Sequence, residues 1–456
     1  MSDDKLIYAT DYLIEEMVLY SLETKTGFDI SSMMEELNIF DSIFNTSISG
    51  NIVIRDSVGL IEKLPIVGNE TLNVRLTKPG TDGQEKIEKS FRIYKMSDRK
   101  PKTNLTEIYT LHFCSFQQFF SEQVKISKGY NFKTCADMAS DILKNDLQLT
   151  GDNEKFYVEP TFGNLNITLP SLTPLETCQW LAKRALNVSS VPSFLFFQNL
   201  GDGYVFSSLE NLYNNFDTTL EYEHNIQTDP NSDRSDKLFG VNYSEFDQGF
   251  NMLTAIKEGV FASTNYGIDF VTLSFEKTEF DASKYEDQNV LLNKNGNVNK
   301  VKLLGIDGQP ATAKNFSTIK ITPLTKNQLT SSYIKSRDKT VFSNDTDKIT
   351  SQRQHIIQNL LNNKVYLGVP GLMSLNSGRV IKINFLERNI REKTDTDELN
   401  DLHSGKYIIT STRHTFTPDG IYRTFMECAT DSFGKSQGTG QRVTIDTITG
   451  NADFNA

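Results

Sequence analysis

Histidine and cysteine are scarce in this chain of 456 residues, with five of the first and four of the second. Cys114, Cys135, Cys178 and Cys428 lie far apart, and no Cys-x-x-Cys occurs. Neither a zinc ribbon nor a dithiol redox pair has its ligand spacing here. Three of the four sit in apolar periodic segments, so buried free thiols are expected. His112, His224, His355, His403 and His414 do not pair with Cys or carboxylates at a metal-ligand spacing. One combination stays open, a meeting of His403 and His414 across a sheet. Long apolar runs are missing too. No stretch of about 18 apolar residues is present, so no transmembrane helix is expected. The start, Met1-Ser2-Asp3-Asp4-Lys5, is polar and lacks the basic and apolar regions of a signal peptide, which points to folding in a cytoplasm. Positive charge is in deficit: 47 Lys and Arg against 58 Asp and Glu give a net charge of −11. Wrapping nucleic-acid phosphates needs Lys and Arg to displace counterions, so such a chain is a poor candidate for binding DNA and is suited to repelling it.

Catalytic motifs are also lacking. There is no His-Glu-x-x-His. Phe433-Gly434-Lys435-Ser436 contains Gly-Lys-Ser, but Ala429 stands where a phosphate loop needs its first glycine, and the segment follows a hairpin rather than opening a helix. Gly201-Asp202-Gly203 is explained by a hairpin turn, because Asp-Gly supplies the positive φ that a tight turn needs. The neighbouring carboxylates Glu35-Glu36 and Asp395-Asp397-Glu398 read as solvated charges, since a glycosidase pair needs a separation across a cleft that spacing does not reveal. Phe196-Phe197 reads as sheet core before ligand platform. No catalytic, cofactor-binding or metal-binding residue is assigned.

What the chain does have is β pattern. Aromatics make up 11% of it, with 30 Phe and 17 Tyr, a bias towards strand formers. Near the N-terminus Phe91-Arg92-Ile93-Tyr94, a polar turn at Asp98-Arg99-Lys100-Pro101 and Ile108-Tyr109-Thr110-Leu111-His112-Phe113 read as strand, turn, strand. Near the C-terminus Tyr407-Ile408-Ile409-Thr410, a turn at Pro418-Asp419-Gly420 and Ile421-Tyr422-Arg423-Thr424-Phe425-Met426 read the same way. Two such hairpins suggest two copies of one β-module, though a shared hairpin grammar would give the same look.

The expected organisation follows from changes in pattern. Residues 1–118 form a first β-domain, with a short helix over Asp56–Leu64. Residues 119–215 form an α+β insert. Its helices begin at two capping boxes, Thr134-Cys135-Ala136-Asp137 and Thr173-Pro174-Leu175-Glu176, the second strengthened by proline at the first helical position. Met138, Ile142 and Leu143 share one face, and Leu175, Cys178, Leu181 and Ala182 another, with Trp180 beside them. A hairpin from Phe194 to Phe206 closes the insert. Residues 216–277 are a middle segment with a polar linker over 224–238, a helix from Met252 to Lys257 and long strands from Val260 to Phe275. Residues 278–348 are a polar insertion or connector. Residues 349–433 form a second β-domain. It starts with a helix over Thr350–Asn362, whose Ile356, Ile357, Leu360 and Leu361 make an apolar stripe, and contains a turn at Gly368-Val369-Pro370-Gly371. Residues 434–456 are an extended tail.

Several of these segments carry a resemblance. Leu172-Thr173-Pro174-Leu175-Glu176-Thr177-Cys178-Gln179-Trp180-Leu181-Ala182 and the hairpin after it, Leu367-Gly368-Val369-Pro370-Gly371 leading to Ser377-Gly378-Arg379-Val380-Ile381, Ser404-Gly405-Lys406-Tyr407-Ile408-Ile409 through Arg413-His414, and Ser47-Ile48-Ser49-Gly50-Asn51-Ile52-Val53-Ile54 occur in a set order. In that order the chain resembles the baseplate hub proteins of contractile-tailed, T-even-like bacteriophages, a family shared with the hub part of type VI secretion spike proteins. The resemblance covers most of the chain outside 278–348.

The resemblance implies a mainly β fold with an α+β insert, in which two tail-tube-like β-barrel domains per chain make a pseudo-sixfold ring as a homotrimer. It implies a structural, non-enzymatic part of the virion tail baseplate, assembled in the bacterial cytoplasm. Its partners would be a tail tube protein, a separately encoded spike, baseplate wedge proteins and a tape-measure protein, with viral DNA passing through unbound. The chain ends soon after its last hairpin, without the needle or lysozyme domain of some family members. The polar tail either contacts the spike or is a disordered end. Two other readings stay open: a different tail-tube or baseplate component, and a tail-borne cell-wall hydrolase. A sugar- or receptor-binding β-protein is a further one.

Overall fold

The computed structural model describes residues 8–64, 66–81, 85–103, 106–151, 154–224, 239–247, 251–269, 274–285, 290–293, 319–323, 346–385 and 403–432. It divides into two packed units. Unit 1 is Met1–Asp247, Lys364–Ile383 and Tyr407–Ala429, and unit 2 is Gln248–Asn363, Asn384–Lys406 and Thr430–Ala456.

Unit 1 opens with β1 (Leu13–Tyr20), β2 (Gly27–Asp29), β3 (Met34–Ser42) and β4 (Ser49–Asp56), then a short helix α1 (Leu60–Lys63), β5 (Thr71–Thr77), β6 (Lys86–Thr103) and β7 (Thr106–Ser115). Alternation with period two turns one side of each strand into the core. Thus Leu72, Val74 and Leu76 of β5, Ile52 and Ile54 of β4, and Leu111 and Phe113 of β7 are all buried in one cluster. Each such side chain contributes about 1.5–3 kcal/mol. Helix α1 is shorter than the expected Asp56–Leu64. The Asp56 carboxylate accepts from the amides of Val58 at 2.9 Å and Leu60 at 2.6 Å, which holds a turn ahead of the helix. The expected turn at Asp98–Pro101 is strand instead. Register shifts after Ser97 and Pro101 absorb Asp98, whose φ is +55°, as bulges. Pro101 sits opposite Glu107 between two of these shifts, next to a bulge where proline is tolerated.

The insert follows as α2 (Phe116–Ser121), β8 (Gly129–Lys133), α3 (Cys135–Asp141), β9 (Phe156–Val158), β10 (Leu165–Thr168), α4 (Pro174–Ala182), β11 (Phe194–Asn199), β12 (Gly203–Ser208) and α5 (Leu209–Asn215). Both expected capping boxes form: Thr134 with Asp137, and Thr173 with Glu176 beside a first-turn proline. The apolar faces read from the sequence are the buried ones, with Met138, Ile142, Leu143, Leu175, Cys178 and Leu181 in one cluster and Trp180 partly buried against it. Every residue of β11 and β12 is buried. Gly203 (φ +73°) reverses this hairpin where a Cβ would lie 2.1 Å from the Lys155 carbonyl oxygen.

Unit 1 continues with β13 (Asp217–His224) and β14 (Tyr243–Asp247); the rest of the expected linker, 225–238, lies outside the described residues. Unit 2 has α6 (Met252–Glu258), β15 (Ala262–Asp269), β16 (Ser274–Asp281), β17 (Ile319–Pro323) and α7 (Thr346–Leu361). Gly259 ends α6 in the left-handed conformation, as its sequence position implies. The three strands form a sheet in the order β16-β15-β17. So part of the expected connector 278–348 is regular structure, and 286–289, 294–318 and 324–345 lie outside the described residues. The apolar stripe expected on α7 is only partly its buried side. Ile356, Ile357 and Leu361 are half-buried, whereas Ser351, His355, Asn359 and Leu360 are buried. The reason is polar pairing: Asn265 of β15 donates to Ser351 Oγ at 2.8 Å, and His355 Nδ1 meets the Val260 carbonyl at 3.0 Å.

The chain returns to unit 1 as β18 (Lys364–Pro370), continues into β19 (Val380–Phe385), and ends its described structure with the hairpin β20 (Gly405–Phe416) and β21 (Tyr422–Ala429). Gly368–Pro370, expected as a turn, are paired strand residues opposite Phe425–Arg423. The chain leaves the sheet at Gly371, whose amide donates to the Tyr422 carbonyl at 3.0 Å. The tail 433–456 lies outside the described residues.

These strands build one 13-stranded sheet with the order β14-β18-β21-β20-β3-β4-β7-β6-β5-β1-β2, with β19 also pairing β20 and β13 pairing β19. The order contains a repeat. The first half runs β3-β4-β7-β6-β5-β1, and the second half runs β14-β18-β21-β20-β19-β13. Taken in chain order, the six strands of each half correspond one to one. The two modules are joined edge to edge through β3 and β20, and no pairing among the described strands closes either one on itself.

Gly203→Ala is expected to lower stability by on the order of 3 kcal/mol, from the left-handed φ and the backbone clash together. Thr173→Ala should cost about 1 kcal/mol through loss of its cap. Urea denaturation of each variant measures both.

Candidate functional site

Among the described residues, those that could have carried chemistry lie apart from one another. All four cysteines are buried and free. Burial pushes the Cys114 thiol up to about 11 and Cys135 to about 12, which makes them poor nucleophiles. His414 is fully buried, and its ring is partnered by Tyr422 Oη at 2.8 Å, Thr424 and Thr412 rather than by His403. Burial lowers it to about 4, so the imidazole is neutral. His112 bonds Ser97 at 2.8 Å, and His355 is held by Val260 and Asn359. No group of three or more His, Cys, Asp or Glu among the described residues is arranged to hold a metal. Glu35 pairs with Arg55, and Glu36 with Arg413 at 3.1 Å. Asp202 of the Gly-Asp-Gly turn forms an ion pair with Arg379 at 2.6 Å. Phe196 and Phe197 are core. Asp395, Asp397, Glu398 and the Gly434-Lys435-Ser436 segment lie outside the described residues.

What the structure does bring together is the junction of the two modules. β20 and β3 pair antiparallel from Ser411 opposite Ser42 to Phe416 opposite Leu37. Polar side chains accompany this ladder on both faces. On the face away from the apolar core, the buried Asn38 accepts through Oδ1 from Arg413 Nε at 2.9 Å and Thr415 Oγ1 at 2.9 Å, and its Nδ2 donates to Asn51 at 2.9 Å and Glu36 at 2.6 Å. On the core side, the buried Asp41 carboxylate accepts from the Thr412 hydroxyl and from the amides of Ser377 at 3.3 Å and Leu200 at 3.4 Å. Burial raises its pKa to about 6, and these hydrogen bonds only partly offset the rise. Thr412 also meets His414, so a buried polar chain runs from Asp41 to Tyr422.

Ties of the same kind fix the insert and the C-terminal half to this junction. Asn199 Nδ2 donates to the Ser377 carbonyl at 2.9 Å, Gln198 accepts from the Ile48 amide at 3.1 Å, and the Arg379 guanidinium lies 5.4 Å from the Phe216 ring centre. Lys78 is only 2% exposed and donates to the carbonyls of Ala9 at 2.6 Å and Gly371 at 2.8 Å. Burial lowers it to about 8.

Sequence reasoning missed Asp41 and Lys78. A signal was present: both extend a core-facing alternation, Leu37-x-Ile39-x-Asp41 and Leu72-x-Val74-x-Leu76-x-Lys78, so each puts a charge on the buried register.

Two hollows open on unit 1. One, of 1140 Å³, is lined by charged side chains already engaged with each other, such as Lys89 with Glu154 and Arg75 with Glu88. The other, of 960 Å³, is apolar and lined by Tyr94, Phe116, Phe119 and Phe120, with Arg92 stacked on Phe116 at 4.9 Å.

No family model matches the chain, and no curated protein matches it by sequence. Solved structures do. A tail protein from Neisseria meningitidis MC58 superposes over 93% of this chain and 98% of its own, at 10% identity and a TM-score of 0.52. A 43 kDa tail protein of prophage MuSo2 from Shewanella oneidensis matches over 92% and 99%, at 11% identity and a TM-score of 0.47. The E. coli c3393 protein, described as a type VI secretion component similar to T4 bacteriophage tail proteins gp27 and gp5, matches over 93% and 78%, at 8% identity and a TM-score of 0.44. These neighbours are described as tail proteins and a type VI secretion component. The first likeness establishes a shared fold across nearly the whole of both chains.

The folded state holds the Asp41 proton more tightly than the unfolded chain, so protonation favours folding. As pH falls from above 6 to about 4, wild type is expected to gain stability relative to Asp41→Asn, by on the order of 2–3 kcal/mol. Urea titrations of both chains at pH 7 and pH 4.5 test this. A stability difference that does not change with pH would contradict it.

Proposed function

We propose that this chain is a structural hub of a phage-type contractile tail. Three copies form a closed ring. Each copy supplies two equivalent β-modules, so the ring presents six modules around a threefold axis. Such a ring adapts a hexameric tail tube on one side to a trimeric spike on the other. Wedge proteins and a tape-measure protein are the further partners of that position, and viral DNA passes through the centre without specific binding. The role is structural rather than enzymatic, and its place is the virion tail baseplate, after assembly in the host cytoplasm.

The observation that carries this reading is the repeat in the sheet. The same six strands, in the same chain order and with the same neighbours, occur twice in unit 1. A symmetry adaptor needs such a repeat, because three chains can meet six tube subunits alike only if each chain offers the contact surface twice. The shared fold with a tail protein supports the same position. Three cations on the solvent face of the sheet, Arg413, Lys364 and Arg55, are each paired with a glutamate on that face or at its edge, which weakens their pull on phosphates.

The purified chain is expected to have a mass near three times 51.6 kDa by light scattering, and averaged electron micrographs should show a torus with six similar lobes. A mass of one chain across a wide concentration range would overturn the ring and leave some other tail component as the better reading.

A further inference from the structure

Resting on the ring reading above, the repeat also identifies the strand edges that meet between copies. The two modules align residue by residue through a shared irregularity. In β6 the register with β7 shifts between Ile93 and Lys95, and in β20 the register with β21 shifts between Ile409 and Ser411. Lys95 therefore matches Ser411, and Ser97 matches Arg413. The outer strands align in the same way. Asn38 of β3 faces Asn51 of β4, which faces His112, while Glu245 of β14 faces Tyr366 of β18, which faces Glu427. Glu245 thus matches Asn38, and Asp247 matches Phe40.

Within the chain, the stretch of β20 beyond its shift pairs with β3, so that Arg413 lies opposite Phe40 and Thr415 opposite Asn38. The matching stretch of β6, Lys95–Lys100, pairs with β7 on one edge, and no described strand pairs with its other edge. β14, the match of β3, pairs with β18 on one edge, and no described strand pairs with its other edge. Each chain thus contains one completed junction of this type and both halves of a second. Unpaired edges of this length are templates for another strand.

We propose that the Lys95–Lys100 edge of β6 in one copy pairs antiparallel with the Tyr243–Asp247 edge of β14 in the next copy, repeating between chains the junction that β20 and β3 make within one. Charge selects a second copy as the occupant. The β6 edge carries Lys95, Arg99 and Lys100 against one carboxylate, Asp98, and is net positive, whereas β14 carries Glu245 and Asp247, and all six are exposed. Arg99 turns to Glu107 at 2.8 Å within the chain, at the surface, where such a pair is weak enough to exchange. The in-chain junction uses the same device, with Arg413 of β20 on Glu36 of β3 at 3.1 Å. β14 also leaves Tyr243 half-exposed and Phe246 at 42% exposure, apolar area that a neighbouring strand would cover. The contact is heterologous, and such contacts give a ring when the rotation closes.

Two measurements on the full chain test this. In Ser97→Cys/Asp247→Cys, the matched register puts the two cysteines opposite each other across the junction, at Cα separations of about 4.5–5.5 Å, within disulfide reach. Mild oxidation should then yield covalent dimers and trimers, and neither single variant should. Separately, Arg99→Glu/Lys100→Glu should weaken self-association at least tenfold by sedimentation, and adding Glu245→Lys/Asp247→Lys to it should restore the assembly. If wild type is a trimer, while the double-cysteine chain stays uncrosslinked and the reversal leaves assembly intact, this junction is wrong and the ring stands on other surfaces. If wild type is a monomer throughout, both the junction and the ring fall.

Discussion

A strand edge is a row of backbone donors and acceptors that must be paired, and one such pairing, β3 with β20, organises unit 1. It joins a strand near the N-terminus to one some 370 residues later in the chain, as the Thr412 to Asp41 hydrogen bond records. Through it two six-strand modules become one sheet. The insert hairpin β11–β12, the Gly371–Arg379 connection and the start of the chain are all anchored within a few side chains of it, through Asn199, Asp202, Arg379 and Lys78.

The side chains at this junction are polar where the rest of the core is apolar, and the contrast has a physical use. Burying Asp41 and Lys78 is unfavourable by desolvation, as their shifted pKa values show. Apolar contacts would tolerate a slip of the strands, but hydrogen bonds from Thr412, Ser377 and Leu200 to one carboxylate accept a single register. A slip of one residue would turn Asp41 outward and bury Phe40 in its place, along with every other alternation in β3. Unit 2 uses the same device on a smaller scale. The buried face of α7 is set by Ser351, His355 and Asn359 against polar partners, not by its isoleucines.

The repeat gives the fold its directional character. A module that pairs head to tail with its twin inside the chain has, by construction, an unmatched head and an unmatched tail left over. That is a property of topology more than of any single residue, which is why a chain with 10% identity to a tail protein can share its fold nearly end to end. The polar ties across β3 and β20 hold the two modules to one register.

Much of this was legible in the sequence, because it depends on local rules. The capping boxes at Thr134 and Thr173, the buried faces of α3 and α4, the Gly203 hairpin and the C-terminal hairpin follow from side chains acting within a few residues of each other. The errors share a cause. Asp98–Pro101 and Gly368–Pro370 carry turn residues but lie in strands, because pairing with β7 and β21 outweighs local preference. The stripe on α7 was misplaced because its polar partners on β15 are distant in sequence. The sequence by itself determined strand content and the two hairpins. Tertiary structure alone decided that the modules share one sheet, that Asp41 and Lys78 are buried, and which edges have no partner among the described strands. Those outcomes depend on contacts between segments hundreds of residues apart, and the energy of such contacts is fixed only when the partners meet.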